Sequence, residues 1–157
     1  MNNRGLVKTV VFAGLIAGIL DGAAAVILFL MRGGKDPVKI FNFIASGIFG
    51  ADGLNGGMSM AWLGLFFHLC IATIWAIIYF IAYPRVTILA RNWAASGLGY
   101  GVFVWLGMNL VVVPLSNTPP MAKTFSGVLI GTAVLMVCIG LPISYFASKF
   151  YARQGQP

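Results

Sequence analysis

The chain contains one histidine, three aspartates and no glutamate, so proton or carboxylate chemistry falls on very few side chains. Asp21 lies inside a long apolar run from Val10 to Met31, flanked by glycine and alanine rather than by turn residues. A carboxylate at bilayer depth costs about 2.5–3.5 kcal/mol on insertion scales and marks a candidate functional site. His68, the single imidazole, lies inside a second apolar run. A carboxyl group alone in apolar surroundings stays neutral, but beside an imidazole it can share a proton, and the two then titrate as a unit. Such pairs serve in proton relays. The competing role for Asp21 is structural, a protonated or paired group that joins helices.

Asn109 and Thr132 are further polar groups within apolar runs, as is Thr73. They read either as members of a proton or ligand site with Asp21 and His68, or as interhelical hydrogen-bonding groups. Cys70 and Cys138 belong to no CxxC or metal-ligand spacing and read as small buried hydrophobes. One histidine cannot build a structural zinc site or a bis-histidine haem site, so no metal or cofactor is expected. No Walker A, HExxH, GxSxG or GxGxxG motif in a strand–helix setting is present, which argues against an enzyme.

These residues need elements to hold them, and composition identifies the elements. The 157 residues are 60% hydrophobic and 8% charged, with a mean hydropathy of +0.95. Soluble domains carry roughly 25% charged residues. We therefore expect a single integral membrane domain over residues 1–157. Continuous rather than alternating apolar runs favour helices over a β-barrel. The predicted fold is an all-α membrane protein, a four-helix bundle with spans at about 8–31, 61–82, 94–115 and 125–147. Arg32-Gly33-Gly34-Lys35, Tyr83-Pro84-Arg85, Asn117-Thr118-Pro119-Pro120, and Lys149 with Arg153 mark their ends. Pro142 should kink the fourth span. Trp62, Tyr83 and Trp93 read as interfacial residues, Trp75 and Trp105 as deeper packing residues. Alanines 23–25 resemble a signal-peptide cleavage site, but Asp21 and the continuing apolar run point to an uncleaved transmembrane helix.

A shorter apolar stretch, about residues 37–50, is too short to span and predicts an interfacial or re-entrant helix between the first two spans. Asp36-Pro37 supplies its start. Lys39, Asn42 and Ser46 share one face, with Ile40, Phe41, Ile44 and Ile48 mostly away from it. The segment is either a surface helix resting its apolar face in the headgroup layer or a lid over the open end of the bundle. A glycine-rich turn containing Asp52 and Asn55 follows. Gly14, Gly18 and Gly22 recur every four residues, as do Gly97 and Gly101, and Gly127 and Gly131. Such spacing lets helix backbones approach closely in lipid, within one bundle or across a homo-oligomer face.

With a rise of about 1.5 Å per residue, Asp21, His68, Asn109 and Thr132 fall roughly 9–13 Å below the outer ends of their predicted spans, one per helix. The termini and the 83–94 loop carry Arg4, Lys8, Arg85, Arg91, Lys149 and Arg153; the other side carries Arg32, Lys35, Lys39 and Lys123. This bias predicts cytoplasmic termini. The net charge of +7 is scattered at span ends and forms no nucleic-acid-binding stripe. Expected partners are membrane lipids, a second copy of the chain, or another membrane protein.

The succession GLIAGILDG, PVKIFNFIASGIFG, AWLGLFFHLCIATIWAIIY and GLGYGVFVWLGMNLVVVPLS resembles a group of small bacterial inner-membrane proteins of the YagU-like type. The resemblance covers most of the chain. It implies a four-span inner-membrane protein associated with acid tolerance, and it draws notice to Asp21, His68, Asn109, Pro114, Leu115 and Ser116. The functional expectation is transport, or solute or proton handling, centred on Asp21 and His68. The alternatives are an accessory subunit of a membrane complex that binds lipid or a hydrophobic ligand, with an apolar cleft near the short helix, and, ranked last, an enzyme acting on lipid.

Overall fold

The computed structural model describes residues 3–120 and 124–155. Lys123, one of the basic residues assigned above to the outer side, lies outside them. Four helices are long and apolar enough to cross a membrane: Arg4–Met31, Gly57–Ala82, Trp93–Leu115 and Phe125–Ala152. The fold is an all-α four-helix bundle of multi-pass membrane type, with no strand among the described residues. In chain order the elements are α1 (Asn3–Met31), α2 (Val38–Phe49), α3 (Ala51–Asn55), α4 (Gly57–Ala82) and α5 (Thr87–Arg91). The third span joins α6 (Trp93–Gly107) to α7 (Val113–Leu115) through a π-helical turn, Met108–Val112. The fourth joins α8 (Phe125–Leu135) to α9 (Leu141–Ala152) through a second π turn, Met136–Gly140.

The two π turns have one cause. Pro114 and Pro142 offer no N–H to the carbonyl four residues back, and their rings crowd it. Those carbonyls belong to Leu110 and Cys138, each inside a π turn. A one-residue slip, with Val113 N–H donating to Met108 O and Leu141 N–H donating to Met136 O, carries each helix past its proline unbroken.

The spans meet in two different ways. At one set of glycines, backbones touch. A Cβ on Gly14 would come within 2.6 Å of Thr73 Cα, and one on Gly18 within 3.0 Å of the Ala72 Cβ, which joins α1 to α4. Gly97 and Gly101 of α6 press in the same way on Gly140, Met136 and Ser144 of the fourth span. A Cβ on Gly131 would stand 3.3 Å from Trp105 Nε1, and one on Gly127 would meet nothing beyond its own helix cap, Thr124. Between α4 and α6, by contrast, large side chains fill the gap. Tyr79 and Tyr100 lie edge to face at 4.6 Å, and Trp75 contacts both Tyr100 and Phe103. Each buried polar tip there has a partner. Tyr100 donates to Trp75 O (2.6 Å), Tyr79 pairs with Ser96 Oγ (2.8 Å), and Tyr151 donates to Phe80 O (2.8 Å). Tyr83 ends α4 but turns inward, 4% exposed and stacked on Tyr151 at 5.0 Å. Trp62 and Trp93 are exposed near span ends.

The short helix is oriented polar side in. Asn42, Ala45 and Ser46 are buried, whereas Ile48 and Phe49 face outward. This suits a helix whose surroundings are apolar, with its few polar groups turned toward protein. Asp36 Oδ1 accepts from Val38 N–H (3.1 Å) to start α2. Gly64 of α4 admits the backbone of α2 at Phe41. At its other end, Gly47 O accepts from Asn117 N–H (2.9 Å) and Ile48 O from the Asn117 side chain (3.2 Å). The expected glycine-rich turn is largely the helical turn α3, bracketed by Gly50 (φ 57°) and Gly57 (φ 61°), left-handed positions that suit glycine.

Candidate functional site

α1 and α4 bring Asp21 and His68 together. His68 Nε2 lies 3.7 Å from Asp21 Oδ2 and 2.9 Å from Gly18 O. A carbonyl can only accept, so Nε2 carries the hydrogen and donates it to Gly18 O. The ring nitrogen left to gain or lose a proton is Nδ1. The imidazole edge lies flush against α1 at Gly22, where an added Cβ would stand in ordinary contact with Nε2 at 3.4 Å. Both side chains are largely enclosed, 15% and 17% exposed, and this is the only ion pair among the described residues.

Register explains the meeting. α4 begins at Gly57 rather than near residue 61, so His68 sits eleven residues in from its first residue. Asp21 sits ten residues in from Met31. Both depths correspond to about 15–17 Å. Asn109 and Thr132 lie closer to their span ends, six residues from Leu115 and seven from Phe125. No hydrogen bond or ion pair among the described residues joins them to Asp21 or His68. Asn109 donates to Trp105 O (3.0 Å) and Thr132 to Val128 O (2.8 Å), each within its own helix. Thr73 likewise donates to Leu69 O (2.8 Å).

Cys138 joins the neighbourhood instead. It sits in the π turn of the fourth span, which packs on α1. Its position follows from the cross-helix register, which no motif in one sequence reports. The Gly18 carbonyl is the other unanticipated member of the site. Among the loop residues, Lys39 is exposed at the start of α2, and Asp52 and Asn55 are exposed on α3, where Asn55 donates to Ala51 O. Asn42 is buried, donates to Leu54 O at 3.5 Å, and leaves its side-chain oxygen without a partner. Pro114 follows the π turn of the third span, Leu115 is exposed, and Ser116 bonds Val113 O and Thr118 Oγ1 in the turn that leads to the Asn117 contact with α2.

A second feature lies beneath α2. An apolar cavity of about 210 Å³ separates α4 from the π turn of the third span, bounded by Phe43, Ile44, Phe67, Ile71, Met108 and Val112. No protein-family model, curated protein or solved structure matches the chain.

Proposed function

We propose that the protein moves protons or a small solute across its membrane through the Asp21–His68 pair. The observation that carries this reading is the 3.7 Å approach of an imidazole and a carboxyl group well inside two apolar spans. With Nε2–H fixed on Gly18 O, a proton arriving at Nδ1 makes the ring cationic, and the Asp21 carboxylate holds that charge. Departure of the proton restores the neutral ring. Paired intramembrane ionisable groups commonly mark such pathways. In this reading α2 is a lid over the outer end, the membrane is the bacterial inner membrane, and the termini are cytoplasmic, as the distribution of basic residues favours. The resemblance to YagU-like proteins points the same way, toward acid tolerance. The small-residue faces leave room for a homo-oligomer.

The test is proton flux into liposomes carrying the purified protein, beside Asp21→Asn. Flux that rises at acidic pH and disappears in the variant supports the pathway. Asparagine keeps the side-chain shape and leaves the His68–Gly18 bond in place, so the fold should survive. Flux no greater than in empty liposomes refutes proton conduction.

The second reading is a module that binds lipid or a hydrophobic ligand, and the cavity beneath α2 favours it. It requires an apolar molecule to co-purify with the protein and Ile71→Trp, which fills the cavity, to expel it.

A further inference from the structure

At the end of the bundle that carries the chain termini, α1 and α9 run side by side. Phe12 meets Phe146 edge-on with ring centres 5.3 Å apart. Beside this aromatic floor and reaching to the helix ends is a cleft of about 760 Å³. Lys8, Lys149 and Arg153 line it, with Thr9 and Gln154 between them. The Lys149 ammonium stands 5.8 Å from the centre of the Tyr145 ring, on the same cleft.

The charge in this cleft is uncompensated by the described residues. The chain has three acids. Asp21 is paired with His68 inside the spans, and Asp36 and Asp52 lie at the opposite end of the bundle, around α2 and α3. Three like charges line one cleft with no carboxylate among the described residues beside them, an arrangement that a phosphate diester would complete. The cleft is also graded. Lys8 to Phe12 is four residues along α1, about 6 Å, as is Lys149 to Tyr145 along α9, and over that distance each lining passes from a cation to a ring. Phe12 is 53% exposed and Tyr145 41%, so both present apolar surface outward. A free phosphate would use only the upper part of such a site. A lipid places its head among the cations and its chain along the rings.

We propose that this cleft binds the headgroup and first acyl segment of an anionic phospholipid. A zwitterionic lipid brings its own cation toward three others and is disfavoured. The site is independent of the Asp21–His68 pathway, and its failure would leave that reading intact.

The test uses the full chain in neutral detergent, titrated with phosphatidylglycerol or phosphatidylcholine and read by native mass spectrometry as bound lipid per protein. Phosphatidylglycerol should bind roughly tenfold or more tightly, given about 1 kcal/mol per basic residue at an anionic surface. The variant Lys8→Gln/Lys149→Gln/Arg153→Gln should lose the preference. The variant Arg32→Gln/Lys35→Gln/Lys39→Gln, with the same charge change at the other end, should keep it. Equal loss in both variants would reduce the effect to net charge and overturn the site. Displacement of phosphatidylglycerol by millimolar inorganic phosphate alone would overturn the lipid assignment in favour of a plain anion site. Equal binding of the two lipids by the unaltered protein would refute the proposal even if a variant failed to fold.

Discussion

Replacing Gly140 by alanine tests the packing logic of the bundle directly. Gly140 is buried in the π turn of the fourth span, against α6. An added Cβ would run into the Gly97 carbonyl oxygen and would lie 2.9 Å from both Gly97 C and Gly101 N. Ordinary contact begins near 3.4 Å, and the obstructing atoms are backbone, which cannot rotate aside as a side chain does. The spans must separate by several tenths of an ångström or more, and overpacking of this kind costs about 1–3 kcal/mol. Gly99 is the internal control: it lies in the same α6 helix, is exposed, and a Cβ there meets nothing within 4 Å. Alanine at Gly99 should stabilise by about 0.5–1 kcal/mol, because glycine loses more backbone entropy in a helix. The two variants should therefore differ by about 1.5–4 kcal/mol. Reversible unfolding in mixed micelles, followed by far-ultraviolet circular dichroism, measures the difference. Gly140→Ala matching Gly99→Ala within about 0.5 kcal/mol would refute close backbone contact between the third and fourth spans.

Tyr100→Phe removes the 2.6 Å bond to Trp75 O without opening a cavity, and should cost about 0.6–1.7 kcal/mol in the same assay. No loss would mean that the hydroxyl contributes nothing to holding α4 against α6. Sidedness is checked by single cysteines introduced at Lys35 and at Arg153 in a chain with Cys70 and Cys138 replaced. An impermeant maleimide applied to intact cells should label Lys35→Cys and spare Arg153→Cys; the reverse pattern would invert the proposed topology.

The four spans were legible because lipid demands continuous apolar helices, and the charged and aromatic residues at their ends stand out. Boundaries were less legible. The span was expected to start near Ala61, yet residues 57–60 already form the first turn of α4, with Gly57 supplying the left-handed φ that starts the helix. That shift of four residues is what sets His68 beside Asp21 rather than nearer the level of Asn109 and Thr132. The pair itself could be named from residue type alone. Cys138 could not, because which face of the fourth span turns toward α1 depends on the π turn. Gly140 carried a signal that glycine spacing alone misses: with Ser144 it forms a pair of small residues four apart, and Ser144 Oγ donates to Trp93 O across the helix contact at 2.8 Å. The polar-in orientation of α2 was hidden for a related reason. Its face of Lys39, Asn42 and Ser46 resembles the outer side of a surface helix, and only the fit of Gly64 and Gly53 against it reveals which side is covered.

The glycine contacts and the aromatic contacts differ in what a substitution can do to them. A contact between backbones has no side chain to rearrange, so added bulk there must displace a whole span. α1 meets α4 in this way, and α6 meets the fourth span. Between α4 and α6 the filler is a set of rings, and a change of side chain there is met first by other side chains. The bundle thus has seams whose width is set by the main chain and one whose width is set by what fills it.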